Sequence, residues 1–443
     1  MAIQLSDHFD YKRLIQFVLP SIGMMVFTSI YGVVDGFFVS NFAGSRAFAA
    51  VNLILPFAWI FSSIGFMVGT GGTALISYHL GQGKRKKANE IFSFLIYFVI
   101  VLGALATLVG ELILPRMAVL LGATEGMLPD CVRYGRIIIA AQVPFMLQNL
   151  FQSFLVLAER PRLGFLVTVL SGVTNMALDA LFVGVFKWGV TGAAVATALS
   201  QCVGGIIPLI YFIFPNKSIL RLGKTRFDGR ALLKTLTNGS SEFLTNISLS
   251  VVNMLYNIQA MKFAGEDGVA AYGVVMYVAF CFIAVFIGYS IGTAPIVGYN
   301  YGADNKKELK NVYKKSIKLV ALFSVAMFVL ALLFARPLAL LYVGYDEELI
   351  ALTMDAFRCF SACFLVMGFS IYGSSFFTAL NNGLVSAIIS FMRTLVFQVA
   401  MVLILPALFG LPGVWWANAA AELLSLFVTV FFWILMRKKY GYA

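Results

Sequence analysis

The sequence is short of charged residues. Only 12% of its 443 residues are Asp, Glu, Lys or Arg, whereas 60% are apolar. A soluble domain carries about 25% charged residues, so this chain cannot cover a water-facing surface of its own size. The apolar runs are long and unbroken, and they lack the short alternation that an outer-membrane β-barrel requires. We therefore expect a helical protein that has hydrocarbon as its solvent over most of its length.

Residues of metal and redox chemistry are also scarce. Two histidines in the whole chain argue against a histidine-based metal centre. The five cysteines are odd in number and show no metal-ligand spacing, so they are interpreted as small core residues rather than disulfides or ligands. They are Cys131, Cys202, Cys281, Cys359 and Cys363. No phosphate-binding loop is present, and we expect no cofactor and no metal beyond a possible sodium ion.

Twelve stretches have the length and composition of a membrane-spanning helix, which needs roughly 20 mostly apolar residues. Their predicted bounds are 14–40, 47–79, 91–114, 134–157, 163–185, 189–213, 236–261, 268–301, 317–335, 350–380, 384–408 and 411–435. The sequence thus predicts an all-α polytopic membrane protein with twelve transmembrane helices.

The basic residues collect on one side of these spans. A net charge of +12 could suggest a nucleic-acid partner, but 23 of the 32 Lys and Arg residues lie on the side of the N-terminus. Eight lie on the other side, and Arg393 lies within a span. This asymmetry follows the positive-inside rule and predicts a plasma-membrane protein with both termini in the cytoplasm. Anionic lipid headgroups, rather than nucleic acid, are then the expected contacts of these cations.

The chain repeats itself after about 221 residues. FAGSRAFAA at 42–50 matches FAGEDGVAA at 263–271, and GVTGAAVATALSQ at 189–201 matches GLPGVWWANAAAE at 410–422. Each half contains six spans, so the halves enter and leave on the same side and are parallel repeats, a plan common in secondary transporters. The predicted domains are an N-terminal six-helix lobe at 1–213, a cytoplasmic linker at 214–235 and a C-terminal six-helix lobe at 236–443.

Two acidic residues lie at the same depth within the N-terminal half. An ionisable residue inside a span costs roughly 2.5–3.5 kcal/mol, so its presence calls for a reason. At about 1.5 Å per residue, Asp35, Asp179 and Thr197 lie at one level on three different spans. Asn175 is one turn from Asp179 on the same helix face. We therefore predict that these four side chains form one polar site.

The second half lacks this carboxylate pair. Tyr256 takes the place of Asp35, Asn418 that of Thr197, and apolar residues near Phe397 and Met401 those of Asn175 and Asp179. A purely structural role in both repeats would not explain this difference. Two nearby acids in low dielectric can hold a proton, or they can cage a sodium ion together with Asn and Thr oxygens. The alternative is a hydrogen-bonded polar plug that only fixes helix packing.

The C-terminal half has its own charged cluster, formed by Glu242, Arg393 and Glu422. Because an unpaired buried charge is costly, we expect Arg393 to neutralise one of the two acids. A second coupling or substrate site around Glu242 is the alternative. Pro20 lies on the same span as Asp35 and is a hinge candidate, since a proline removes a helical hydrogen bond and permits a kink.

Several aromatic residues are expected to line a cleft between the lobes. They are Tyr31, Phe38, Phe145, Phe154, Tyr256, Tyr272, Tyr277 and Phe280. An aromatic cavity suits bulky, flat, cationic compounds through dispersion and cation–π contacts.

These features together resemble bacterial members of the multidrug and toxic compound extrusion (MATE) family over the whole chain. The resemblance is carried by Pro20 with YGVVDGFF in span 1, TNMALD in span 5, the GVTGAAVATALSQ segment, and a duplicated Tyr-x-x-Gly loop with a basic cluster. It implies two six-helix lobes that form a V. It also implies export of organic cations or amphipathic compounds in exchange for H⁺ or Na⁺, by alternating access. In the branch that this chain resembles, the ion site would lie on Asp35, Asn175, Asp179 and Thr197.

Two other functions remain open at this point. A lipid-linked precursor flippase of the same superfamily would have a strongly cationic cavity, whereas the charges within the spans are mainly acidic here. A membrane-embedded enzyme would need a nucleophile–base set or metal ligands at the membrane surface, and neither is visible. We therefore expect a transporter of small organic cations, not an enzyme, that functions as a monomer.

Overall fold

The computed structural model describes residues 3–344 and 346–442, and this part of the chain is helical almost throughout. The α-helices are α1 Tyr11–Phe38, α2 Ser45–Gly81, α3 Arg85–Leu120, α4 Leu128–Ala140, α5 Gln142–Leu157, α6 Pro161–Asp179, α7 Gly189–Ile213, α8 Gly229–Gly302, α9 Lys306–Val343, α10 Glu347–Ser361, α11 Phe364–Ala379, α12 Gly383–Phe391, α13 Phe397–Phe409 and α14 Leu411–Tyr440. Three π-helical segments follow α1, α6 and α12 directly: Val39–Ala43, Ala180–Val185 and Met392–Val396.

These helices make twelve membrane spans. The 74 residues of α8 would extend about 110 Å as one straight helix, far more than the roughly 30 Å of a bilayer core. The helix turns at Gly265, where φ is 62° and ψ is −150°, a conformation that only glycine adopts easily. Its two arms, 229–264 and 266–302, are therefore separate spans.

Two other spans are bent rather than straight. Helices α4 and α5 form one span with a bend of 56°, and α10 and α11 form one with a bend of 48°. The breaks at Ala141 and at Ala362–Cys363 are related by the repeat, so the bend belongs to the repeated unit. With each π-helical segment joined to its neighbouring helices, the described residues give the twelve spans that the hydropathy pattern predicts.

Four prolines interrupt the backbone hydrogen bonding of long helices without ending them. Pro20, Pro56, Pro208 and Pro295 lie inside continuous helices. Several helices begin at a side-chain cap. At the start of α8, for example, the Asp228 side chain accepts a hydrogen bond from the backbone N–H of Ala231. Because α8 begins at Gly229, the last seven residues of the predicted linker 214–235 are helical.

The two halves pack on each other through glycines of α2 and α8. A Cβ at Gly71 would collide with the backbone of Thr235 and Gly239, and a Cβ at Gly292 would collide with Val18. Gly71 and Gly292 are equivalent positions of the repeat, 221 residues apart, and so are Val18 and Gly239. The two contacts are therefore exchanged by the repeat, as a two-fold axis along the membrane normal requires.

The contacts between the halves lie toward the end of the bundle that carries both termini, here called the terminus face. Gly81 packs on Tyr299 and Gly302 packs on Tyr78, again as a pair related by the repeat. These residues are in the last turns of α2 and of the second arm of α8. The two halves are thus joined at the terminus face.

Candidate functional site

The four polar residues predicted in the N-terminal half lie together in the structure. Asp35 is on the last turn of α1, Asn175 and Asp179 are on the last turns of α6, and Thr197 is on α7. The hydroxyl of Thr197 donates to Asp35 Oδ1 at 3.5 Å, and Asn175 Nδ2 lies 3.5 Å from the Thr197 oxygen. The carboxylate of Asp35 also faces Asp179. Three helices thus supply one cluster of oxygen-bearing side chains.

This cluster is buried and lacks a compensating charge. Asp179 is fully buried and Asn175 is 1% exposed, while Asp35 and Thr197 are half-buried. Among residues 3–344 and 346–442, no Lys, Arg or His forms an ion pair with either carboxylate. Both carboxylate oxygens of Asp179 and the amide oxygen of Asn175 have no hydrogen-bond donor. The site therefore presents acceptors to a positive charge that the protein itself does not supply.

Tyr134 joins this cluster, although the sequence analysis did not single it out. It is on α4 and only 1% exposed, its hydroxyl contacts Thr197, and both carboxylates lie nearby. Its depth could not be counted from the sequence because the span that carries it bends at Ala141. A tyrosine in a polar RYGR segment at a span end is otherwise typical of the membrane interface.

π-helical segments lie close to three of the intramembrane charged residues. One π-helical segment begins four residues after Asp35, a second begins directly after Asp179, and the third contains Arg393. A π-helical turn inserts an extra residue and disturbs the regular backbone hydrogen bonds, and such turns are frequent at functional sites. Each of these charged residues therefore lies in or beside a segment where the helix is locally irregular.

In the C-terminal half the structure pairs Arg393 with Glu422. Arg393 Nε donates to both carboxylate oxygens of Glu422, at 3.0 and 2.9 Å, and the two side chains are 13% and 3% exposed. Glu242 is half-buried and has Arg393 as its charged neighbour. Two acids thus share one guanidinium, and the pair with Glu422 is the direct one.

The equivalent of the N-terminal cluster is neutral in this half. The hydroxyl of Tyr256 donates to Gln398 Oε1 at 3.0 Å, and the Tyr256 ring stacks on Tyr272 with centroids 5.1 Å apart. The counterpart of Asn175 is therefore Gln398, a polar residue, and the prediction of an apolar residue near Phe397 was wrong by one position. A neutral tyrosine–glutamine pair replaces the aspartate–asparagine pair.

Three aromatic residues predicted to line the cleft lie inside the lobes instead. Phe154 is fully buried and packs on Phe92, while Tyr256 and Tyr272 are 1% and 5% exposed. Their rings contact other side chains of their own lobe, and these assignments were wrong.

The other five aromatic candidates have partly or largely exposed side chains. Tyr31, Phe38 and Phe145 are half-buried, and Tyr31 packs against Gly172 of α6. Tyr277 and Phe280 are 43% and 41% exposed. The carbonyl of Phe280 accepts a hydrogen bond from Ser29 of α1 at 3.4 Å, so Phe280 lies where the two halves face each other.

The MatE family model matches this chain twice, over residues 20–181 and 243–404. The chain belongs to the MatE family. The two matched segments are related by a shift of 223 residues, which agrees with the internal repeat. Asp35, Asn175 and Asp179 lie within the first segment. The MATE resemblance inferred from sequence motifs is thereby confirmed, and a MatE protein is a transporter rather than an enzyme.

Multidrug export proteins and MATE structures match nearly the whole length of this MatE chain. Multidrug export protein MepA of Staphylococcus saprophyticus is 24% identical over 432 residues, which is 97% of this chain and 94% of the relative. MepA of Staphylococcus aureus is also 24% identical, over 431 residues with the same coverage. A crystal structure of MATE in complex with MaL6 superposes with a TM-score of 0.92 at 24% identity, covering 98% of this chain and 97% of that one. The outward-facing conformation of a multidrug resistance MATE family transporter superposes with a TM-score of 0.92 at 24% identity, covering 99% of this chain and 98% of that one. These structures confirm the MATE fold with its two six-helix repeats.

Proposed function

We propose that this chain is a cation-coupled antiporter that exports small organic cations and amphipathic compounds in exchange for H⁺ or Na⁺. The MepA relatives are named multidrug export proteins, which supports the export of drug-like compounds. The observation that carries the coupling is the uncompensated buried pair Asp35–Asp179, which occurs in one lobe only. The lobes at 1–213 and 236–443 would move relative to each other, so that the cavity between them opens to one side of the membrane and then to the other.

Repulsion between the two carboxylates is the physical basis of the proposed coupling. Two ionised carboxylates about 4 Å apart repel by about 4 kcal/mol at an effective dielectric of about 20. A proton on one of them converts this repulsion into a hydrogen bond. A sodium ion would instead bind oxygens of Asp35, Asp179, Asn175 and Thr197, including the unpartnered amide oxygen of Asn175. A potential of 100 mV contributes about 2.3 kcal/mol per charge moved across the membrane, which is enough to drive exchange.

Helix α1 connects this site to the contact between the lobes. Asp35 is near its end, while Val18 and Ile22 pack on Gly292 and Gly288 of α8. Pro20 lies between these two contact residues and removes one backbone hydrogen bond from the helix. Binding or release of a cation at Asp35 would therefore bend α1 where the lobes touch, which makes Pro20 the hinge of this mechanism.

The test is drug efflux in proteoliposomes under separately imposed proton and sodium gradients. Asp35→Asn and Asp179→Asn should abolish gradient-driven efflux, because an amide cannot take up the coupling charge. Glu111→Gln is the matched control, since Glu111 is a half-buried carboxylate that pairs with Arg136 at 3.8 Å away from the site. Efflux by Asp35→Asn protein at the wild-type rate under both gradients would reject the proposed coupling.

The same proposal places the protein in the bacterial plasma membrane as a monomer, with both termini in the cytoplasm and its basic loops near anionic lipids. The charge asymmetry of the sequence supports this orientation. The lipid-linked precursor flippase is disfavoured because its cavity would need free cations. Arg393, the basic residue that the sequence places within a span, has its charge engaged by Glu422.

A further inference from the structure

A line of buried polar side chains extends from the acidic site into the N-terminal lobe. Gln148 and Gln152 of α5 are one helical turn apart and 5% and 4% exposed, yet Oε1 of each has no hydrogen-bond donor. Leaving a buried acceptor without a partner costs about 1–3 kcal/mol. Two such amides on one helix face are therefore unexplained by packing alone.

These amides are connected to the acidic site by short contacts. Gln148 Nε2 donates to Ser171 Oγ at 3.4 Å, and Ser171 Oγ donates to the carbonyl of Ser200 at 2.7 Å. Ser200 in turn donates to the carbonyl of Thr197 at 2.8 Å. Ser171 is also one turn from Asn175 on α6. The polar contacts thus continue from Asp35 through Thr197 to Gln148.

A small cavity lies next to these amides. Its volume is about 10 Å³, close to the least space that admits one water molecule. Gln148, Gln152, Thr168, Gly204 and Pro208 are among its walls. Because Pro208 has no N–H, the carbonyl of Gly204 lacks its usual helical donor. The walls therefore offer oxygen acceptors, which suit a water molecule or a cation.

A larger pocket lies nearer the terminus face on the same two helices, α6 and α7. That pocket has a volume of about 500 Å³, and its walls include Arg160, Leu163, Ile210 and Lys217. Leu163 is next to Gly164, and Ile210 is two residues beyond Pro208; Gly164 and Pro208 both line the inner cavity. Leu155, which is 2% exposed, also lines that cavity. The two spaces are therefore lined by neighbouring residues of α6 and α7, with the apolar turn of α5 that carries Leu155 beside the inner cavity.

The C-terminal lobe is built differently at the same level. There Ser374 is 2.8 Å from Ser386 and 2.7 Å from Ser390, and Thr378 is 2.7 Å from Ser386. These hydroxyls satisfy one another in a closed network. At this level the N-terminal lobe therefore has unpartnered glutamine oxygens where the C-terminal lobe has hydroxyls that bond one another.

We propose that Gln148, Gln152, Thr168, Ser171 and the carbonyl of Gly204 form a polar track for the coupling ion. Through this track a proton carried on water, or a sodium ion, passes between the acidic site and the terminus face inside the N-terminal lobe. The interlobe cleft then serves the organic substrate alone, so the ion and the substrate leave by different routes. The apolar turn around Leu155 closes the track in this conformation. This inference rests on the proposed coupling at Asp35 and Asp179.

The test removes polar groups from the track without changing side-chain size. Thr168→Val and Gln152→Met should each slow gradient-driven efflux about fivefold to tenfold, because a buried hydrogen-bonding group is worth about 1 kcal/mol. Substrate exchange without an ion gradient should stay at the wild-type rate, since exchange moves no coupling ion. Thr168→Ser keeps the hydroxyl and should behave as wild type.

Gln142→Met is the matched control. Gln142 is on the same helix and fully buried, and its Oε1 likewise has no donor. Its Nε2 donates to the carbonyl of Ala58 at 3.3 Å, away from the track. If Thr168→Val and Gln152→Met perform as well as Gln142→Met while Asp35→Asn abolishes efflux, the coupling site stands and the track is rejected. If they lose substrate exchange as well, these side chains hold the lobe together and the track is again rejected. Undiminished efflux by Asp35→Asn would instead reject the proposed function itself.

Discussion

Removing the guanidinium of Arg393 should destabilise the C-terminal lobe more than any other change to its charged cluster. At 2.9 Å and an effective dielectric of about 20, the attraction between Nε and the nearer Glu422 oxygen is about 6 kcal/mol. Much of this attraction offsets the cost of desolvating both groups, and when one partner is removed the desolvation cost of the remaining charge is no longer offset. Breaking a buried pair in this way costs about 3–5 kcal/mol. Arg393→Met leaves Glu422 buried without its countercharge and Glu242 without its charged neighbour.

The two partners should not be equivalent. Glu422→Gln leaves Arg393 facing Glu242, so one acid and one base remain and the loss should be smaller than for Arg393→Met. The double variant Arg393→Met/Glu422→Met replaces the pair with apolar side chains of similar volume. Because only the half-buried Glu242 then lacks its charged neighbour, this variant should recover most of the stability that Arg393→Met loses. The expected order of stability is therefore wild type first, the double variant and Glu422→Gln next, and Arg393→Met last.

The assay is the temperature at which half of the detergent-solubilised protein is lost from the monodisperse peak on size-exclusion chromatography. Arg358→Met is the matched control, because Arg358 lies 3.4 Å from Asp355 with both side chains more than half exposed. An exposed pair contributes about 0–1 kcal/mol, so this variant should melt within a few degrees of wild type. The reasoning would be wrong if Arg393→Met had the same melting temperature as Arg358→Met. It would also be wrong if the double variant were less stable than both single variants.

Two further predictions concern the lobe contact and a helix start. Gly71→Ala should destabilise the protein by about 1–3 kcal/mol, since its Cβ would meet backbone atoms of α8, whereas Gly32→Ala, which has open space around it, should be neutral or stabilising in the same melting assay. Lys87 at 2.6 Å and the backbone N–H of Ala231 hold the pKa of Asp228 below its usual value of 3.8. The contribution of Asp228 is present above that value and is lost as pH falls through the lowered pKa. Asp228→Asn should thus melt below wild type at pH 7, and the gap should close in strong acid; a gap independent of pH would contradict this.

The repeat explains the scaffold but not the chemistry. Both lobes share the bent fourth span, the glycine contacts and an interacting pair at the position of Asp35 and Asn175. The N-terminal pair is acidic and continues into unpartnered acceptors, whereas Tyr256 and Gln398 satisfy each other in the C-terminal lobe. Duplication therefore supplied a symmetric frame, and substitution within it assigned the charge to one half.

The sequence by itself determined the number of spans, the two parallel repeats and the common depth of Asp35, Asp179 and Thr197. The physical reason is that a bilayer constrains each helix in one dimension. Apolar length sets where a span begins and ends, and the rise per residue then sets the depth of each side chain.

Only the tertiary structure decided which way each side chain points. Phe154 and Tyr134 both lie in the fourth span, yet Phe154 faces the interior of its lobe and Tyr134 reaches the acid pair. A bend of 56° between α4 and α5 separates their orientations, and the π-helical segments shift the helix register elsewhere. Rotation, tilt and an inserted residue leave hydropathy unchanged but turn a side chain from one neighbour to another. Packing, which no one-dimensional pattern encodes, likewise makes Gln398 rather than an apolar residue near Phe397 the partner of Tyr256.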